Sequence, residues 1–443
     1  MNTVAARSTV ISAEGWQYTT LGHVAQVKGG KRLPKGEGFA DTVTSFPYIR
    51  VTDFANFSID TSDLRYLKPE TQVAIEHYTI SKSDVYISIA GSIGITGMIP
   101  ARLDGANLTE NAAKLVLNED LIDARFLMYY LASEVAQTEI RGQTVKNAQP
   151  KLALARIASL EIPLPPLPEQ RKIAAVLGLV QRTIEQQERL VALTTELKKA
   201  LVHKLFTEGL RSEPQKETEI GPVPESWEVQ TIQSLVDEGV LDKPMDGNHG
   251  SIHPKSEDYT DSGIPFVMAS DLSDGTIDFS SCAYLRKEQA DRLQKGFARP
   301  GDVLISHKAT IGVTAIVPSV EHYVMLTPQV TYYRSLQPTR LQNRFLKCFF
   351  DSEGFQRAFA AVARDGSTRS YIGITKQRSL LVAYPRIEEQ RQISEILHTV
   401  EQKILLAKNR QRVLSELFRT MLHELMTAQI RVNDLDLDGS MNV

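Results

Sequence analysis

Between residues 388 and 426, positions 393, 397, 400, 404, 407, 411, 414, 418, 421 and 425 hold Ile, Leu, Val, Ile, Ala, Gln, Leu, Phe, Met and Leu. Nine of the ten are apolar, at alternating steps of four and three. That is the seam of a coiled coil, and it predicts one long helix. The segment 169–206 carries the same pattern in Ile173, Leu177, Val180, Ile184, Val191, Leu201 and Leu205. It lapses at Thr194 and Lys198, where Leu193 and Leu197 suggest that the stripe drifts around the helix. Neither segment contains proline, and Gly178 is the one internal glycine. A single apolar stripe on a 38-residue helix is not satisfied alone, so each needs a partner.

Ahead of each long helix the periodicity changes. Residues 84–89 and 302–306 are short apolar runs bounded by turn residues and predict buried strands. Residues 124–140 and 342–362 predict helices, which makes each globular stretch mixed α and β. Proline then stops the chain, in Ile162-Pro-Leu-Pro-Pro-Leu-Pro168 and in Tyr384-Pro-Arg-Ile387. Proline there blocks backward propagation of a helix and suits its first turn.

The two halves share more than this grammar. Glu14-Gly-Trp16 returns as Glu225-Ser-Trp227, and Pro47-Tyr-Ile-Arg-Val-Thr-Asp53 as Pro265-Phe-Val-Met-Ala-Ser-Asp271. Asp84-Val-Tyr-Ile-Ser88, with Ile93-Gly94 behind it, returns as Asp302-Val-Leu-Ile-Ser306 with Ile311-Gly312. Glu169-Gln-Arg-Lys-Ile173 returns as Glu389-Gln-Arg-Gln-Ile393. The offsets of 211, 218, 218 and 220 preserve order and vary only in loop length, the signature of a duplication. The divisions expected are globular domains over 1–165 and 213–385, long-helix spacers over 166–212 and 386–430, and a flexible tail over 431–443. A compact second domain between the two helices would turn the second back antiparallel to the first. Their coiled coil would then hold two similar domains at its ends, ~57 Å apart for 38 residues at 1.5 Å each.

Composition narrows the function. The 443 residues include 50 basic and 53 acidic side chains, a formal charge of −3, so no overall electrostatic footprint for nucleic acid exists. Residues 1–160 carry 16 basic and 16 acidic groups, and 214–385 carry 18 and 21. Two cysteines, Cys282 and Cys348, support neither a disulfide framework nor a structural zinc, which suits a reducing, cytoplasmic compartment. The first residues lack a secretory pattern, and no apolar stretch is long enough to span a bilayer. Two similar domains at a fixed spacing suit a duplex read at two half-sites more than a turn apart. The alternative that this geometry leaves open is a protein scaffold with twin adaptor domains.

The run Pro163-Leu-Pro-Pro-Leu-Pro-Glu-Gln-Arg-Lys-Ile173, a long helix, the repeat of both and a globular domain ahead of each resemble the specificity subunit of a Type I restriction-modification enzyme. The resemblance runs from about Trp16 to about Met426; in the second copy Pro385-Arg-Ile-Glu-Glu-Gln lacks the second proline pair. It implies target recognition domains that each read half of a split double-stranded DNA site, and helices that dock methyltransferase subunits, two of them. A restriction and translocation subunit joins the assembly. This chain then carries no catalysis and no cofactor; S-adenosylmethionine, ATP and magnesium belong to the partner subunits.

Candidate DNA contacts follow from local patches. Lys28-Gly-Gly-Lys-Arg-Leu-Pro-Lys35 offers Lys28, Lys31, Arg32 and Lys35 without an acid, and glycines that let backbone approach a phosphate. Its counterpart, Asp246-Gly-Asn-His-Gly-Ser-Ile-His-Pro-Lys255, offers Asn248 for an adenine edge, His249, and Lys255 for phosphate or guanine. Lys146, in Arg141-Gly-Gln-Thr-Val-Lys146, and Arg364 and Arg369, in Arg364-Asp-Gly-Ser-Thr-Arg369, suit phosphate clamps. Arg50, which Met268 replaces in the second copy, suits a base contact, and Lys308 a further one.

Enzyme readings lack their motifs. The Pro-Pro pair between Leu164 and Leu167 is not the Asn/Asp-Pro-Pro-Tyr of amino methylation, and no phosphate-binding Gly-x-x-x-x-Gly-Lys-Ser/Thr occurs. Glu196-Leu-Lys198 and Glu401-Gln-Lys403 fall within the expected long helices rather than on nuclease strands. Asn248-His249 with His253 only faintly resembles a metal-finger nuclease, with no second motif to support it.

Overall fold

The computed structural model describes residues 15–144, 150–363 and 371–432. It divides into two compact units, and the division falls inside the long helices: Met1–Gln186 with Gln411–Val443 form one, Gln187–Arg410 the other.

In the first unit the strand Val85–Ser88 is buried along its length. It lies between Ala112–Leu117 and Thr96–Met98, and Ala25–Gly29 completes a four-stranded antiparallel sheet. A second four-stranded sheet sets Pro47–Ile49 parallel to Ala106–Leu108. Gln17–Thr20 pairs with Glu161–Leu164, the strand that leads into the first long helix. The second unit repeats this plan. Val303–Ser306 lies between Val330–Tyr333 and Thr314–Ile316, with Met245–Asp246 on the edge. Ile264–Val267 runs parallel to Val324–Leu326, and Glu228–Thr231 pairs with Leu381–Tyr384.

The repeated sequence words are joints of this scaffold. Asp53 and Asp271 each close a turn by accepting the backbone N–H three residues earlier, from Arg50 at 2.7 Å and Met268 at 2.8 Å. Asp84 and Asp302 do the same for Ser81 and Arg299. Gln170 and Gln390 are fully buried. Gln170 accepts from Asp123 N–H and donates to the carbonyls of Leu121 and Pro165. Gln390 accepts from Gln342 N–H and donates to those of Arg340 and Pro385. A primary amide with both ends satisfied is the group that a buried polar joint requires.

The helices expected over 124–140 and 342–362 are each two. Ala124–Ala132 is followed by Glu134–Gln143, and Asn343–Phe350 by Glu353–Ala363. A serine makes each break. Ser133 is extended and its hydroxyl accepts Ala136 N–H; the Ser352 hydroxyl accepts Phe355 N–H. Apolar periodicity passes through such a break unchanged, whereas the cap starts a new helix.

The long helices span Leu167–Glu208 and Ile387–Met426. In the second, every position of the stripe from Ile393 to Leu425 is buried or half-buried. The expected drift in the first does not occur: Thr194, Thr195 and Lys198 stay half-buried on the stripe, while Leu193 is 60% exposed and Leu190 and Leu197 are exposed as well. Lys198 is held there by an ion pair of 2.7 Å to Glu401 of the other long helix. Twelve residues on, Leu210 N–H donates to Glu389, twelve residues before Glu401, so within the second unit the two segments run antiparallel. In the first unit Leu422 and Leu425 enter the core that holds Trp16, Phe126, Ile173 and Leu177. In the second, Val202, Leu205, Ile393 and Leu397 join Trp227, Phe345 and Phe349. Each such side chain is worth roughly 1.5–3 kcal/mol when fully buried. Arg431 and Val432, assigned above to the flexible tail, are docked: Arg431 forms an ion pair with Glu169 at 2.8 Å, and Val432 is buried in the first core.

Candidate nucleic-acid interface

The basic loop of the first unit leaves the edge strand Ala25–Gly29 and turns against the carbonyls at the end of Ala106–Leu108. Gly30 must be glycine for that reason: a Cβ there would lie 2.1 Å from Thr109 O and 2.4 Å from Leu108 O. Gly247 has the same duty in the second unit, its Cβ falling 1.9 Å from Leu326 O. Both glycines are required by the fit of the chain to its own scaffold.

Beyond Gly30, Lys31 and Arg32 are exposed. Arg32 donates to Glu110 at 2.8 Å, and the bond raises its pKa further. Burial tends to raise the Glu110 carboxyl, but the bonds from Arg32, from its own backbone N–H and from the Thr109 hydroxyl together hold the group below its usual range. Tyr48 donates to Lys31 O, and its hydroxyl is pushed up to about 12, mainly by burial. The Lys31 ammonium stands 5.4 Å from the Tyr78 ring centre. Lys31, Arg32, Glu110 and Lys151 line one shallow recess of about 390 Å³. Lys151, which no sequence motif marked, arrives through a bridge to Ala90.

The matching loop of the second unit is built on Asp246. This carboxylate is 2% exposed, accepts from His249 Nε2 at 2.8 Å, and pairs with the Lys295 ammonium. Burial alone would raise its pKa; the bonds from Lys295 and His249 prevail and lower it. Asn248 is buried and both ends of its amide are occupied, the oxygen by Gln294 N–H and the nitrogen by Lys295 O. It cannot offer an adenine-reading edge, which corrects that expectation. His307 stands behind the cluster with its ring 5.5 Å from Tyr371, and the exposed Lys308 bridges to Tyr371.

Other candidates lie apart from these clusters. Arg50 does not project freely, since its guanidinium is taken by Asp53 and by the carbonyl and carboxylate of Asp63. Lys28 is exposed on the strand that leads to the loop, and Lys35 is exposed beyond it. Lys255 is exposed at the head of a separate turn, closed by its own N–H donating to Asp258. Lys146, Arg364 and Arg369 fall outside the described residues. Among the described residues no group of three or more His, Cys, Asp and Glu side chains is placed to hold a metal, and no helix is long and apolar enough to cross a membrane. Sequence reasoning missed Lys295 and Glu110. Each is a lone charged residue far along the chain from the loop it serves, and only folding joins them.

Comparison with known proteins agrees with this duplicated plan. The Type I restriction modification DNA specificity domain matches the chain twice, over residues 13–194 and 224–416. The MjaVIII specificity subunit of Methanocaldococcus jannaschii is 22% identical over 74% of this chain and 75% of its own length. The EcoBI specificity subunit of Escherichia coli is 23% identical over 97% and 90%. Among solved structures, the S subunit of a Type I system from M. genitalium shares the fold with a TM-score of 0.60 at 15% identity, covering 95% of this chain and 98% of that one.

Proposed function

Because this chain belongs to the Type I restriction-modification specificity family, we propose that its two globular domains each read one half of a split DNA target and that its long helices set the gap between the halves. The observation that carries this reading is the family domain matched twice in one chain, each match beginning in a globular part and continuing into a long helix. A continuous 42-residue helix without proline after its first turn is a stiff spacer, on the order of 60 Å long. In this reading the two helices form an antiparallel coiled coil, and their exposed leucines dock methyltransferase subunits, one for each half-site. A restriction and translocation subunit completes the complex.

The chain itself supplies recognition and no catalysis. S-adenosylmethionine, ATP and magnesium act on the partner subunits. Near-neutral domain charge fits that division, because the partners then provide much of the unspecific attraction to phosphate. The test is to co-produce the chain with the methyltransferase of its own system and map methylated bases across a genome. A bipartite target with a fixed gap, lost when this chain is omitted, is expected. An undivided target, or methylation indifferent to this chain, would overturn the reading.

A further inference from the structure

Two surface side chains, a lysine and a histidine, sharing one buried carboxylate is the least ordinary arrangement in the second recognition domain. Asp246 ends a two-residue edge strand whose partner residue is Thr331. Its side chain is almost wholly buried, whereas Lys295 and His249, which both bond to it, are 34% and 51% exposed at their side chains. A lysine on a surface ordinarily gives up rotamer freedom when it is fixed. Here the fixing is done by the fold before any ligand arrives.

The backbone of Lys295 is held as firmly as its ammonium. Asn248 grips the segment from both ends of its amide, accepting from Gln294 N–H at 3.1 Å and donating to Lys295 O at 2.6 Å. Gly296 has a positive φ of 88°, and its carbonyl accepts Leu326 N–H at 2.8 Å. A Cβ on it would lie 2.9 Å from Gly247 Cα, so the two loops touch backbone to backbone. One ammonium hydrogen goes to Asp246, and the group has two more to offer. Fixed, partly exposed donors of this kind suit the adjacent O6 and N7 acceptors of guanine in the major groove. A phosphate contact would not need such placement.

We propose that Lys295 is a specificity-determining residue that takes a guanine in the second half-site, with Asp246 as its positioning residue. This rests on the split-target reading above. At the equivalent place the first domain carries other residues: strand register puts Gly29 opposite Ala113 where Asp246 stands opposite Thr331, and Lys31 follows Gly30 where Asn248 follows Gly247. Scaffold residues recur in both copies, whereas a base reader should differ between them.

The experiment uses the complex of the full chain with its methyltransferase partner, and scores base preference at every position of both half-sites by methylation sequencing. Lys295→Met should lower the preference for one G·C pair in the second half-site by roughly ten- to a hundredfold and leave the first half-site unchanged. Lys295→Arg should keep that preference, since arginine presents donors to the same acceptors. Asp246→Asn should weaken selectivity at the same position while the thermal midpoint of the complex moves little, an outcome that a merely structural role would not give. An unchanged second half-site in Lys295→Met, with the wild type still methylating a split target, would overturn the assignment alone. So would equal loss at every position, the mark of a phosphate contact. A wild type without a split target would remove the underlying reading as well.

Discussion

His307 holds the place that Ile89 holds in the first unit: Ile89 O accepts Leu152 N–H, and His307 O accepts Ile372 N–H. Its Nδ1 lies 3.0 Å from the Ile372 carbonyl, which only accepts, so Nδ1 carries a proton and any second proton would have to sit on Nε2. Among the described residues no donor reaches that nitrogen. Burial pulls the pKa down to about 4 from an ordinary 6.5. The unfolded chain therefore binds a proton that the folded one refuses between those values, and stability should fall as pH drops through that window. His307→Ile should remove this acid-sensitive component. Thermal midpoints of wild type and variant should keep a constant difference above pH 6.5 and shift in the variant's favour toward pH 5; parallel curves throughout would refute it. The same scale shows what the sequence conceals. Asn248, Arg50 and Gly30 have the residue types that DNA contacts use, but their partners are Lys295, Asp63 and Leu108, which no local motif names. The turn-closing aspartates and the buried glutamines were legible because duplication wrote each of them twice.

At the scale of the element, periodicity foretold both long helices and the buried face of the second, because a helix repeats its environment every 3.6 residues. It misplaced the face of the first around residues 190–198, where polar Thr194 and Lys198 stay on the stripe and leucines turn outward. Apolar character alone cannot tell a leucine bound for the core from one bound for another protein. Mutation can. Leu177 is fully buried in the first core, so Leu177→Ala should cost roughly 2–5 kcal/mol of stability. Leu193→Ser, at an exposed position, should change stability by less than about 0.5 kcal/mol. If the exposed leucines dock the methyltransferase as proposed, it should still weaken capture of that subunit in a pull-down. Full capture by a folded Leu193→Ser chain would place the docking face elsewhere.

Over the whole molecule, duplication yields two seats between globular domain and long helices, and the two are made of opposite chemistry. In the first unit Phe57, Tyr129 and Phe418 meet with ring centres 5.3 to 5.9 Å apart. Phe57 accepts a left-handed φ of 61° to reach that contact, where the second copy has Gly275. At an offset of 220 residues Phe418 corresponds to Lys198 and Gln181 to Glu401; at 219, Met128 corresponds to Lys347 and Ala132 to Asp351. The second seat is therefore ionic: Lys347, almost fully buried, pairs with Glu401 and, at 2.9 Å, with Asp351, while Lys198 shares Glu401. Burial would raise the Glu401 carboxyl, yet Lys347 and Lys198 outweigh it and hold the group low. Its contribution is thus present above the ordinary carboxylate range and lost as pH falls through the depressed value. Removing one partner strands a buried charge, so Glu401→Gln should destabilise the second unit by roughly 3–5 kcal/mol. Replacing the whole set with the first unit's residues, as Lys198→Phe, Lys347→Met, Asp351→Ala and Glu401→Gln together, strands none and should recover most of that loss. Unfolding of the four variants built stepwise, followed at pH 7 and pH 4, decides the matter. A quadruple variant no more stable than Glu401→Gln would mean that the ionic seat is irreplaceable rather than one of two workable solutions to the same joint.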